Sequence, residues 1–155
     1  MKIENWASMS NLKIKFKIVT PKRVVFEDEV LQVTLPVTDG QVTVLPNHRS
    51  YIASLNPGEL MVKKEGKEHW ISISGGFVEF HNNELTVLAD TAERAENIDL
   101  ARAEEARKRA EELKKKAISM DEEEYAAVAA AIQRQAARIR VAKKHYTKKG
   151  MGMGE

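Results

Sequence analysis

After Asp90 the chain contains no glycine or proline until Gly150, and this gap divides it into two parts that obey different periodicities. Alanine, glutamate, lysine and arginine fill the gap, so nothing in it stops a helix. Upstream, turn-forming pairs recur: Asp39-Gly40, Pro57-Gly58, Glu65-Gly66, Gly75-Gly76 and Asn82-Asn83. These residues tolerate the backbone angles of tight turns. Between them lie short apolar runs. From Leu12 to Val19, Leu12, Ile14, Phe16 and Ile18 alternate with Lys13, Lys15 and Lys17, the period of a half-buried strand. Similar runs cover 23–26, 30–37, 41–45, 50–55, 60–64, 69–74, 77–80 and 85–88. Eight or nine short strands predict an antiparallel β-sandwich or flattened barrel over 12–90, with Gly75-Gly76 as a tight turn.

Residues 91–147 predict an antiparallel α-helical hairpin. Asn97 is expected to cap the first helix, with Asp99 in its first turn complementing the helix dipole. Ala103, Ala106, Ala110, Leu113 and Ala117 recur at spacings of three and four, a seam for one partner helix. Asp121, with Glu124 three residues on, has the pattern of a capping box that opens the second helix. The apolar face of that helix runs through Tyr125, Val128, Ile132, Ala136 and Ile139. Because alanine buries little area, the seam is expected to part at modest cost. Residues 148–155 are expected to be a disordered tail. Met9-Ser10-Asn11-Leu12 has the form of a second start, so residues 1–11 are expected to be an extension outside the fold.

Several function classes are excluded or disfavoured. No cysteine is present, which removes disulfides, thiolate metal sites and cysteine nucleophiles. No apolar run approaches the roughly 20 residues of a membrane helix, and the first residues lack the apolar core of a signal peptide, so a cytosolic or membrane-peripheral protein is expected. A formal net charge of +2 gives no overall field for nucleic acid. Neither a phosphate-cradling Gly-x-x-x-x-Gly-Lys-Ser/Thr loop nor a Gly-x-Ser-x-Gly nucleophile elbow occurs. His48, His69, His81 and His145 have no metal-ligand spacing, and the pairs Glu104-Glu105 and Glu111-Glu112 sit beside bases as solvated ion pairs do. The chain is therefore not expected to be an enzyme, nor to need a metal or other cofactor.

Val42-Thr-Val-Leu-Pro-Asn-His48, Pro57-Gly58-Glu59, Ser74-Gly-Gly-Phe-Val78 and above all Leu85-Thr-Val-Leu-Ala-Asp-Thr-Ala-Glu-Arg94 resemble the epsilon subunit of bacterial F-type ATP synthases, and Ile98-Asp-Leu-Ala-Arg-Ala103 continues the match. The resemblance spans roughly residues 12–145. It implies a non-catalytic rotor subunit of the central stalk that couples proton translocation to ATP synthesis. The implied partners are the gamma subunit, the c-ring and the alpha and beta subunits of the catalytic head, at the cytoplasmic face of the bacterial plasma membrane. The family's helical hairpin leaves the β-domain and extends along gamma into the head, where it inhibits ATP hydrolysis.

From the same resemblance come three groups of candidate residues. Arg134, Arg138, Arg140, Lys143 and Lys144 belong to a stretch without carboxylates and are expected to meet acidic segments of the catalytic head. Gln41 and His48 are expected at the c-ring interface, although Gln41 stands where many members have an acid and Arg49-Ser-Tyr51 replaces a commoner Ala-Pro-aliphatic sequence. A regulatory ATP site is implied at Glu93, Ile98, Asp99, Arg102, Ala103, Arg134 and Arg138, because arginine forks suit phosphate oxygens. ATP there would clip the hairpin shut. The alternative is a free-standing β-sandwich module that binds a polyanion through its basic helix. No aromatics interleave the basic cluster to form a stacking platform for single-stranded nucleic acid.

Overall fold

The structure is a computed structural model that describes residues 12–151. The expected extension at 1–11 lies outside the described residues. Eight strands come first: β1 (Ile14–Val19), β2 (Val24–Val30), β3 (Gln32–Val37), β4 (Gly40–Val44), β5 (Tyr51–Lys64), β6 (Lys67–His81), β7 (Glu84–Ala89) and β8 (Ala92–Arg94). A 3-10 turn at Ala95–Asn97 leads to helix α1 (Leu100–Lys115), and a second at Ala117–Ser119 leads to helix α2 (Glu122–Met151). This is a β-sandwich followed by a helical hairpin.

The strands pair in the order β2-β1-β7-β6-β5-β3-β4, with β8 on the free side of β6. All neighbours are antiparallel except β1 and β7, which run parallel with Phe16 opposite Leu85. On β1 the alternation holds as read, with Ile14, Phe16 and Ile18 buried.

Two of the expected turns are not turns. Pro57-Gly58 and Gly75-Gly76 lie inside β5 and β6, which are single long strands paired in unbroken register, Leu55 opposite Gly76 and Pro57 opposite Ser74. Burial nevertheless changes parity there. On β5 it passes from Leu55 to Leu60 and Val62, and on β6 from Ile71 and Ile73 to Val78 and Phe80. The two-stranded ribbon thus turns over as it runs, and its two ends serve opposite leaves of the sandwich. One end pairs with β7 and the other with β3 and β8. Gly75 and Gly76 make the reversal, with φ of 113° and 128°. Local turn chemistry is thus spent on twist rather than on chain reversal.

The first helix is capped by Asp99, whose Oδ1 accepts from the Arg102 amide at 3.0 Å, and not by Asn97, which ends the preceding 3-10 turn. Asp99→Ala is expected to cost about 1 kcal/mol of hairpin stability, read as earlier helix loss on heating. Asp121 accepts from the Glu124 amide at 2.8 Å, as expected of the second cap. Helix α2 continues through Met151, so residues 148–151 are helical rather than a disordered tail. No glycine or proline interrupts α2 before Gly150, and Lys148 is ion-paired to Glu68 of β6.

Ala103, Ala110 and Ala137 are buried along the hairpin seam. Leu113 and Tyr125, expected in the seam, are exposed, and the Lys114 ammonium lies 5.5 Å from the Tyr125 ring centre. Val141 and Ala142 were not expected to be buried. They pack with Ala95 and Ile98 beside Trp70 and Leu100, because α2 serves two surfaces, one toward α1 and one toward the sandwich.

Candidate functional site

The hairpin is docked on the sandwich, and the contact is electrostatic as much as apolar. Three carboxylates of the strand half receive cations from α2. Glu93 on β8 accepts from Arg138 Nε at 2.8 Å and from Nη2 at 3.3 Å, and Arg138 Nη1 donates to Gln135 Oε1 at 2.9 Å. Glu59 on β5 takes both Arg140 and Lys144, which stand one helical turn apart. Glu68 on β6 takes Lys148. The Lys144 ammonium also lies 3.7 Å from the Trp70 ring centre, close enough for a cation–π contact. Lys143 turns the other way, to Glu104 of α1 at 3.7 Å.

Glu59 is the centre of this latch, its side chain only 12% exposed. Burial pushes its carboxyl upward, but hydrogen bonds from Lys144 and Arg140 outweigh burial and hold it below its ordinary 4.5. Glu68 is lowered chiefly by its hydrogen bond from Lys148.

Beside the Glu93–Arg138 pair opens a cleft of about 520 Å³, lined by Arg23, Ser72, Thr91, Ala92, Glu93, Asn97, Arg134, Gln135 and Arg138. Of the residues expected to hold ATP, the structure brings Glu93, Arg134 and Arg138 to this cleft. Ile98 is buried beneath α2, Ala103 is buried in the hairpin seam, Asp99 is engaged as a cap, and Arg102 is exposed at the start of α1. None of these four lines the cleft. The sequence reading missed Arg23, Ser72, Thr91, Asn97 and Gln135. No spacing links them to the arginines of α2, since strand pairing and hairpin docking create the neighbourhood.

Gln41 is exposed on edge strand β4 and lines a smaller cleft of about 310 Å³ together with Asn56, Glu59 and Arg140. The loop side chain of His48 is half-buried. Its Nδ1 lies 2.8 Å from the Arg49 carbonyl, and its ring meets Tyr51 and Phe80 edge-on with centres 6.0 and 5.8 Å away. On the outer face of the sandwich Phe77 (59% exposed) is the cross-strand partner of Leu88 (56% exposed). Leu88 pairs with Val19 and Val19 with Val24, which makes an apolar row across four strands. Among the described residues no helix is long and apolar enough to cross a membrane.

Comparison with known proteins agrees with this architecture. Residues 13–95 match the family model for the ATP synthase delta/epsilon chain β-sandwich domain. The chain is 50% identical over 104 residues to the ATP synthase epsilon chain of Pelotomaculum thermopropionicum, covering 67% of this chain and 78% of that one. It is 43% identical over 132 residues to the epsilon chain of Herpetosiphon aurantiacus, covering 85% and 96%. Among solved structures, a chain of the Euglena gracilis mitochondrial ATP synthase OSCP/F1/c-ring assembly has the same fold, with a TM-score of 0.70 at 24% identity over 82% of this chain and 81% of that one.

Proposed function

Since this chain belongs to the ATP synthase epsilon-chain family, the non-catalytic stalk subunits of that complex, we propose that it is a rotor subunit whose hairpin switches between the docked form described above and an extended form that inhibits ATP hydrolysis. In this reading the sandwich binds the gamma subunit through the apolar row of Val24, Val19, Leu88 and Phe77. An exposed, contiguous apolar row on a sheet face is what a partner surface offers. The edge carrying Gln41, with the His48 loop, faces the c-ring at the cytoplasmic side of the bacterial plasma membrane, so that the subunit joins proton translocation to ATP synthesis. The regulatory ligand is ATP, held in the cleft of Glu93, Arg134 and Arg138. Ile98, Asp99, Arg102 and Ala103 shape the entry to α1.

One observation carries the switch. Arg138, Arg140 and Lys144, cations assigned to contacts with the alpha and beta subunits, are all engaged by carboxylates of the strand half in the docked form. The same side chains cannot hold both sets of partners, so docking and inhibition exclude one another. The alanine seam supports a small gap between the two forms, as a two-state element requires.

The test is ATP hydrolysis by the assembled catalytic head, with the full chain and with a chain lacking residues 98–155. A cut there keeps β8, which pairs with β6. Hydrolysis is expected to rise several-fold on truncation. Equal rates would overturn the inhibitory role and leave the stalk assignment standing.

A further inference from the structure

We propose that Arg23, on the turn between β1 and β2, is a phosphate ligand supplied by the strand half, so that a nucleoside triphosphate is gripped between Arg23 and Arg134 on two separate elements. The proposal rests on the reading of the cleft as a nucleotide site and adds a residue that the family resemblance does not bring to it.

Charge pairing singles out these two arginines. Arg138 is already satisfied by Glu93 and Gln135. Arg23 and Arg134 line the same cleft, both are exposed, and neither is paired with a carboxylate among the described residues. Around them stand neutral groups able to donate hydrogen bonds, the hydroxyl of Ser72 and the amides of Asn97 and Gln135, whereas the Thr91 hydroxyl already donates to Ser74 Oγ at 2.8 Å. Two guanidiniums without counter-ions, flanked by neutral donors, suit a ligand with more than one anionic group.

Arg23 is also held in place by its backbone. Its carbonyl accepts from the Thr20 amide at 2.9 Å and from the Thr20 hydroxyl at 3.0 Å, and its own amide donates back to that hydroxyl at 3.3 Å. Two residues further on, the Val25 carbonyl accepts from Arg94 Nη2 at 3.0 Å, which ties β2 to β8. Little ordering of the main chain is left for a ligand to bring about, which favours binding.

Arg23 belongs to the strand half and Arg134 to α2, so a phosphate chain meets both only while α2 is docked. Binding therefore favours the docked hairpin by the ratio of ligand affinities for the two forms. Arg23 contributes to that ratio from the side that does not move.

The experiment is calorimetric titration of the full chain with ATP at low salt, comparing wild type, Arg23→Ala, Arg23→Lys and Lys22→Ala. Lys22 is an exposed neighbour on the same turn that does not line the cleft. Helix content and melting of each variant are recorded alongside, and the pinned turn keeps its backbone hydrogen bonds with alanine at 23. Arg23→Ala is expected to weaken ATP binding about tenfold or more, the scale of a lost charged hydrogen bond. Arg23→Lys is expected between wild type and alanine, and Lys22→Ala within about twofold of wild type. Wild-type affinity in Arg23→Ala, or equal losses at positions 22 and 23, overturns the role of Arg23 and leaves the nucleotide reading intact. No saturable heat from the wild-type chain at millimolar ATP overturns both.

Discussion

Alanine at Gly76 is expected to destabilise the strand half by roughly 3–5 kcal/mol, enough to unfold a marginally stable domain. Two penalties act together. The backbone at Gly76 has φ 128°, a conformation that L side chains rarely adopt. A Cβ there would also overlap the Leu88 carbonyl oxygen and stand 2.9 Å from Ala89 Cα. Both obstacles are backbone, so no rotamer change relieves them. Relief requires β7 to move away from β6, which breaks the pairing of Gly76 with Ala89 and disturbs the buried neighbours Val87 and Val78. Gly66 is the control. Its φ is also positive, at 74°, but nothing lies within 4 Å of a Cβ, so alanine there bears the conformational cost alone. Urea titration of both variants checks this. Equal midpoints for the two would remove the close approach at Gly76 as a cause.

Glu59→Gln is expected to loosen the docked hairpin without unfolding the sandwich. The change keeps the shape of the side chain but leaves Arg140 and Lys144 facing a neutral amide. Both cations are about half exposed, so solvent screening limits the loss to about 1–2 kcal/mol. Amide exchange along 140–148 is then expected to quicken about 5–30-fold, while exchange in β1 and β7 stays unchanged. Unaltered exchange in α2 would show that apolar packing alone holds the helix. The same contact fixes a pH response. Because the docked carboxyl of Glu59 lies below its ordinary 4.5, its contribution is fully present above that value and fades as pH falls through the lowered pKa. Glu68 acts in the same direction through Lys148. Acidification below about pH 4.5 is thus expected to release the wild-type helix, with a smaller response in Glu59→Gln. Added salt should narrow the difference between the two.

Much of this was legible in the sequence, and the failures share a cause. The alternation of Ile14, Phe16 and Ile18 fixed an inner face because a strand repeats every two residues regardless of its partners. The Asp121 cap was readable for the same reason, as it depends on three residues of local chain. Gly75-Gly76 reads as a hairpin turn because such a turn and a ribbon that reverses its inner face demand the same positive φ, and only strand register separates them. Leu113 and Tyr125 fit the helical spacing of a seam but proved exposed, while Val141 and Ala142 were claimed by the sandwich. Of the candidate site, Glu93, Arg134 and Arg138 came from family resemblance. Arg23 came from neither source, since its relation to α2 exists only once the hairpin has docked.

The parallel pairing of β1 with β7 bears on the order in which the molecule forms. Phe16 must wait for Leu85 before its strand is flanked on both sides. During synthesis the first hairpin, β1 with β2, therefore emerges with one edge open, and nearly the whole strand half must leave the ribosome before that edge closes. Such distant closure is slow compared with helix formation. Next to emerge are Glu93 and then α1, and the cations of α2 come last. The carboxylates that receive the helix are thus in place before the helix exists, so docking completes folding and does not guide it.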